Sequence, residues 1–130
     1  MVLAAQEPSV AKILMERVAA KVAIAYREGV EFAVTKRELA IGGQQLTIQG
    51  VYGEYKDIYL PIYGIHQANN AAVALATVEA FTGGKLDEAI VQSAFESVTS
   101  PGRLEIIHRD PTVIIDAAHN PHGARALAKS

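Results

Sequence analysis

Cysteine is absent from this chain, which excludes a disulfide framework and any metal site built on thiolates. No apolar stretch approaches the roughly 20 residues that cross a bilayer, and the N-terminus has no basic segment leading into an apolar core. Neither sign of charge dominates. Twelve Lys and Arg stand against fourteen Asp and Glu, with no basic run of the kind that marks a nucleic-acid surface and no acidic tail. The expectation is a soluble cytoplasmic protein with no nucleic-acid and no membrane partner. Half of the 130 residues are apolar, enough for a packed core.

Familiar chemical signatures are missing too. Gly83-Gly84-Lys85 is not a phosphate loop, because Glu79 occupies the position of the loop's first glycine and Leu86 that of its Ser or Thr. The histidines at 66, 108, 119 and 122 show no metal-ligand spacing, and His108 and His122 read as surface residues. Tyr52, Tyr55, Tyr59 and Tyr63 read as packing residues, and no Ser–His–Asp arrangement is legible.

What is present begins with Val2 to Ala5, short and apolar, a strand or the end of one. Pro8 and Ser9 open a segment with Val10, Ile13, Leu14, Val18 and Val22 at helical spacing, and Val22 to Tyr26 is expected as a strand. From Glu31 the period becomes two: Phe32 and Val34, Leu39 and Ile41, then Leu46, Ile48 and Val51 alternate with polar neighbours, as half-buried strands do. Gly42-Gly43 signals a hairpin, Gly53 to Asp57 a further turn, and Ile58 to Leu60 another strand. A helix is expected from about His66, deeply packed from Ala71 to Phe81 and ended by Gly83-Gly84. A second runs from about Leu86 to Val98, with Asp87 and Glu88 in its first turn. Thr99 to Gly102 is the strongest break. Strands at 104–107 and 113–116, separated by a turn at Asp110-Pro111, precede a last helix capped by Asn120. Nothing from Arg103 to Ser130 is large enough to fold around its own core, so the chain reads as a piece of a longer protein.

Three segments carry candidate chemistry. Gly64, His66, Gln67, Asn69 and Asn70 gather an imidazole and three amides where an apolar helix begins. Free N–H groups at a helix start suit a nucleotide's polar groups, and an Asn amide matches the donor and acceptor edge of adenine. Simple capping also places such residues there. Arg103 follows the Pro101-Gly102 turn, where a guanidinium can face a phosphate or simply meet solvent. Asp116 ends an apolar strand, with His119 just beyond. A carboxylate at a strand's carboxyl end can accept from both ribose hydroxyls, or merely cap the following helix.

Together, in this order, these segments resemble the folylpolyglutamate synthase and dihydrofolate synthase family of the Mur ligase superfamily. The family pattern Gly-x-His-Gln-x-x-Asn-Ala is matched by Gly64, His66, Gln67, Asn70 and Ala71. Pro-Gly-Arg-x-Glu is matched by Pro101, Gly102, Arg103 and Glu105, and Asp-x-Ala-His-Asn-Pro by Asp116 to Pro121. The resemblance implies an α/β, Mur-ligase-like fold. Residues 1–99 would be the later part of the central ATP-binding domain, with an antiparallel β segment, and 100–130 the first βα elements of a Rossmann-like C-terminal domain. It implies that Asn70 holds adenine, Arg103 the phosphates, Asp116 the ribose and His119 the nucleotide from across the cleft, with His66 and Gln67 shaping the entrance.

Family members activate a folate or dihydropteroate carboxylate as an acyl phosphate, with ATP and Mg2+, and glutamate's amino group attacks it. The phosphate loop and magnesium ligands lie upstream in the family, on the rest of the same polypeptide. This chain alone is therefore expected to be inactive and to hold no catalytic residue. A cell-wall Mur-type amide ligase and a non-catalytic fragment are the alternatives.

Overall fold

Pro8 lacks the N–H that a helix's first turn leaves unused, and it opens α1, Pro8–Ala20. The computed structural model describes residues 1–119 and 121–128. α1 connects β1 (Val2–Leu3) to β2 (Tyr26–Arg27), and the two strands pair in parallel. The strand expected over 22–26 is thus displaced towards the C-terminus. Val22 is instead the left-handed residue that ends α1, at φ 51. Its N–H donates to the carbonyl of Ala19 and that of Ala23 to Val18, both at 3.1 Å, the paired bonds of a Schellman termination.

The period-two region forms an antiparallel meander in the order β3 (Ala33–Ala40), β4 (Gly43–Gln49), β5 (Glu54–Leu60). Central β4 buries Gln44, Leu46 and Ile48. The β3–β4 turn at Ile41 and Gly42 is held by Tyr59, whose hydroxyl donates to the Ile41 carbonyl, and by Tyr63, whose hydroxyl accepts from the Gly42 N–H. Leu39 and Ile41 are exposed rather than half-buried, because nothing among the described residues covers this hairpin end. The turn expected over 53–57 is also corrected. The chain reverses at Gly50 to Gly53, where the Gly50 N–H meets the Gly53 carbonyl at 2.7 Å, and β5 runs on through Asp57. Asp57, at φ 55, takes up the extra residue where the β4–β5 register shifts.

α2 (Ile65–Thr82) lies against this sheet through Ala68, Ala71, Ala72, Leu75, Ala76 and Glu79, one face at helical spacing whose alanines allow close approach. With Phe32, Leu46, Ile48, Tyr55, Ile58 and Leu60 they make the core. The opposite face stays open: Phe81 is 91% exposed, so the helix is buried on one side and not around its circumference. Gly83, at φ 77, ends it. Asp87 caps α3 (Glu88–Glu96) by accepting from the N–H groups of Ala89 and Ile90, and α3 packs on β5.

After the turn at 99–104, β6 (Glu105–Arg109) and β7 (Thr112–Ile115) form an antiparallel hairpin. Every residue of β7 is exposed. α4 (Pro121–Leu127) follows. The expected cap by Asn120 lies outside the described residues, as does the side chain of His122.

Candidate functional site

The mouth of α2 is built around a glycine that cannot be replaced without disturbance. Gly64 has φ 103, a conformation that L side chains rarely adopt, and a Cβ there would stand 2.7 Å from His66 Cε1 and 3.0 Å from Leu104 Cδ1. Gln44, fully buried in β4, fixes this corner. Its amide nitrogen donates to the carbonyls of Ile62 (2.8 Å) and Gly64 (3.1 Å), and its oxygen accepts from Arg37 Nε. No side chain caps α2. His66 and Gln67 are half-buried beside the mouth, and Asn70 is exposed one turn along, its amide nitrogen 3.4 Å from Gln67 Oε1.

The 99–104 turn is held by two carboxylates. Pro101 and Gly102 occupy its central positions, with Gly102 at φ 72 and the Arg103 N–H donating to the Ser100 carbonyl at 3.1 Å, the arrangement of a type II turn. Glu105 Oε2 accepts from the Gly102 N–H at 2.7 Å. Asp116 Oδ2 accepts from the Leu104 N–H at 3.0 Å, and its Oδ1 from the Ala118 N–H at 2.7 Å. The Ala117 N–H reaches back to the Gly102 carbonyl at 2.7 Å. Arg103 is exposed and lines a groove of about 510 Å³ together with Pro61, Tyr63, Glu96, Glu105 and Arg109. Asp116, His119 and the α2 residues do not line that groove. His119 is exposed, with Nδ1 3.0 Å from the Ala117 carbonyl.

The candidates therefore fall into two groups, His66, Gln67 and Asn70 at the mouth of α2, and Arg103, Asp116 and His119, on or bonded to the 99–104 turn and the segment after β7. Leu104 joins them: its N–H is on Asp116 and its side chain stands against Gly64.

One polar centre escaped the sequence reading. Glu79 is fully buried and accepts from the N–H groups of Val51 (2.5 Å) and Tyr52 (3.4 Å) and from the Tyr55 hydroxyl (2.8 Å). Burial, with a smaller contribution from the Glu79 charge, pushes the Tyr55 hydroxyl up to about 12. Glu79 is the only charged residue in α2, and that isolation within an apolar helix was the available signal.

The antiparallel meander under a long helix, followed by a turn, a second antiparallel hairpin and a further helix, is a Mur-ligase-like α/β fold. The chain belongs to the folylpolyglutamate synthase and dihydrofolate synthase family of that class. It is 53% identical, over 99% of its length, to the dihydrofolate synthase/folylpolyglutamate synthase of Mycobacterium tuberculosis, of which it spans 27%. It is 30% identical over 92% of its length to the folylpolyglutamate synthase of Lacticaseibacillus casei, spanning 29% of that protein. A solved structure of the Mycobacterium tuberculosis enzyme complexed with ADP superposes with a TM-score of 0.94 at 54% identity, covering 98% of this chain and 28% of that one. The chain thus spans less than a third of the relatives it matches. No protein-family model matches it.

Proposed function

We propose that this chain is the nucleotide-gripping segment of an ATP-dependent ligase that joins glutamate to a folate. In this reading residues 1–99 form the later part of a central ATP-binding domain and 100–130 open the C-terminal domain. Asn70 pairs its amide with adenine, Asp116 accepts from the ribose hydroxyls and Arg103 neutralises phosphate charge. His119 faces the nucleotide from the side of the 99–104 turn, and His66 and Gln67 shape the entrance. Bound ATP supplies the phosphoryl group that activates the substrate carboxylate; the protein's share is positioning and charge neutralisation.

The residues fit such a ligand chemically. Each Asp116 oxygen accepts one hydrogen bond from the backbone and keeps acceptor capacity for a hydroxyl. Arg103 forms no ion pair among the described residues, and the first turn of α2 has no side-chain cap. In this reading magnesium's ligands lie upstream on the rest of the polypeptide, as the family likeness implies.

The observation that carries the reading is Leu104. It lies against the mouth of α2 and bonds Asp116, so that all three sequence segments share one neighbourhood. The test is steady-state kinetics in a polypeptide of full family length carrying this segment. Asn70→Ala and Asp116→Ala are each expected to raise KM for ATP about tenfold, the loss of one or two polar contacts, while leaving KM for glutamate unchanged. Unchanged KM for ATP in both variants overturns the proposal.

A further inference from the structure

We propose that Asp116 is also a positioning residue, a latch whose carboxylate holds the backbone of the 99–104 turn and thereby aims Arg103. This rests on the nucleotide reading above and deepens it.

The two oxygens of Asp116 serve different segments. Oδ2 takes the N–H of Leu104 and Oδ1 that of Ala118, while the Ala117 N–H returns to the Gly102 carbonyl. Residues 102–104 and 116–118 are thus fastened to each other at points on both sides of Arg103. The residue that Asp116 grips is itself strained: Leu104 has φ 49, a left-handed conformation that leucine disfavours and that persists where surrounding bonds over-determine it. Its side chain is held as well, against Gly64. Arg103, between Gly102 and Leu104, has its own N–H committed to Ser100 and its guanidinium in solvent, with no ion-pair partner among the described residues. The backbone on either side therefore fixes where its side chain sets out, and Asp116 holds that backbone together with Glu105 and the Ala117–Gly102 bond. Hydrogen bonds to an ionised acceptor are the stronger kind, and the same carboxylate keeps acceptor capacity for a ribose. Nucleotide occupancy and turn conformation then depend on one group.

The probe is 2′,3′-dideoxy-ATP, which lacks both ribose hydroxyls and so cannot report a ribose contact. In a polypeptide of full family length, Asp116→Asn replaces one acceptor oxygen by a donor that faces a backbone N–H. This substitution is expected to weaken binding of the dideoxy nucleotide about fivefold, and to weaken it no further on an Arg103→Ala background. Amide exchange at Leu104, measured without nucleotide, is expected to quicken about tenfold in Asp116→Asn. Equal dideoxy-ATP binding by the parent and Asp116→Asn, or full additivity with Arg103→Ala, overturns the latch. So does an unchanged Leu104 amide. If the parent binds neither nucleotide, the functional reading falls, and the Leu104 amide still decides whether the latch exists.

Discussion

Replacing Glu79 by alanine tests whether a buried carboxylate ties α2 to the meander. The side chain is fully buried and accepts two short hydrogen bonds, from the Val51 N–H and the Tyr55 hydroxyl, besides a long one from the Tyr52 N–H. Truncation leaves the two strong donors without an acceptor, at about 1–3 kcal/mol each. It also removes a buried charge, which offsets part of that loss. A net cost of about 3 kcal/mol is expected, a large fraction of the ~5–15 kcal/mol by which ordinary domains are stable. Glu79→Gln keeps one acceptor and should cost about half as much. Urea unfolding followed by circular dichroism measures both, read at constant slope so that compactness is not at issue. Tyr55→Phe made on the Glu79→Ala background should cost less than when made alone, because the two share a bond. The reasoning fails if Glu79→Ala costs under about 1 kcal/mol, or if Glu79→Gln stabilises the fold, since either result would mean that the charge is not satisfied by its donors.

Tyr55, with its hydroxyl pushed up to about 12, gives stability that is complete below pH 10 and is lost as the pH climbs from 10 towards 12. The stability advantage of the parent over Tyr55→Phe should therefore shrink across that window, as chemical denaturation at pH 9 and 11.5 would show. Val22→Gly should raise stability by about 0.5–1 kcal/mol in thermal unfolding, because a β-branched residue now sits left-handed at the end of α1 while 94% exposed. Gln44→Leu should cost about 2–4 kcal/mol and speed amide exchange in the first turn of α2, since it strips the Ile62 and Gly64 carbonyls and Arg37 of a partner. A Gly50→Ala substitution should be destabilising by calorimetry, its new methyl group meeting the Glu79 carboxylate.

Local chemistry made the ends of elements legible. Gly42-Gly43, Gly83 and Pro101-Gly102 each impose a backbone conformation within a few residues and stand where the sequence placed a break, while Asp87, expected in the first turn of α3, is its cap. The errors share a different cause. Val22 reads as the start of a strand from its side chain, yet the C-terminus of α1 needs a left-handed residue at that point and takes valine. Asp57 reads as part of a turn, yet the pairing of β5 with β4 continues past it by bulging. In both places a long-range pairing or a helix termination overrides propensity.

The site divides along the same line. Its residues were visible as three separate motifs, but the contacts that link the three segments run through Leu104, an unremarkable leucine at the level of sequence. Its importance comes from φ 49, a bond to Asp116 and a contact with Gly64, forty residues earlier in the chain. Glu79 was hidden for an equivalent reason, because its donors lie 24 to 28 positions away, beyond any local window. Polar residues that act through distant backbone partners leave only one local trace, a single acid or amide among apolar neighbours. Glu79 in α2 carries it, whereas Gln44, beside Gln45 in β4, does not. Where such a residue is buried, its partners are backbone groups that must otherwise go unpaired, so its loss should be felt at the segment it fastens and not only at its own position.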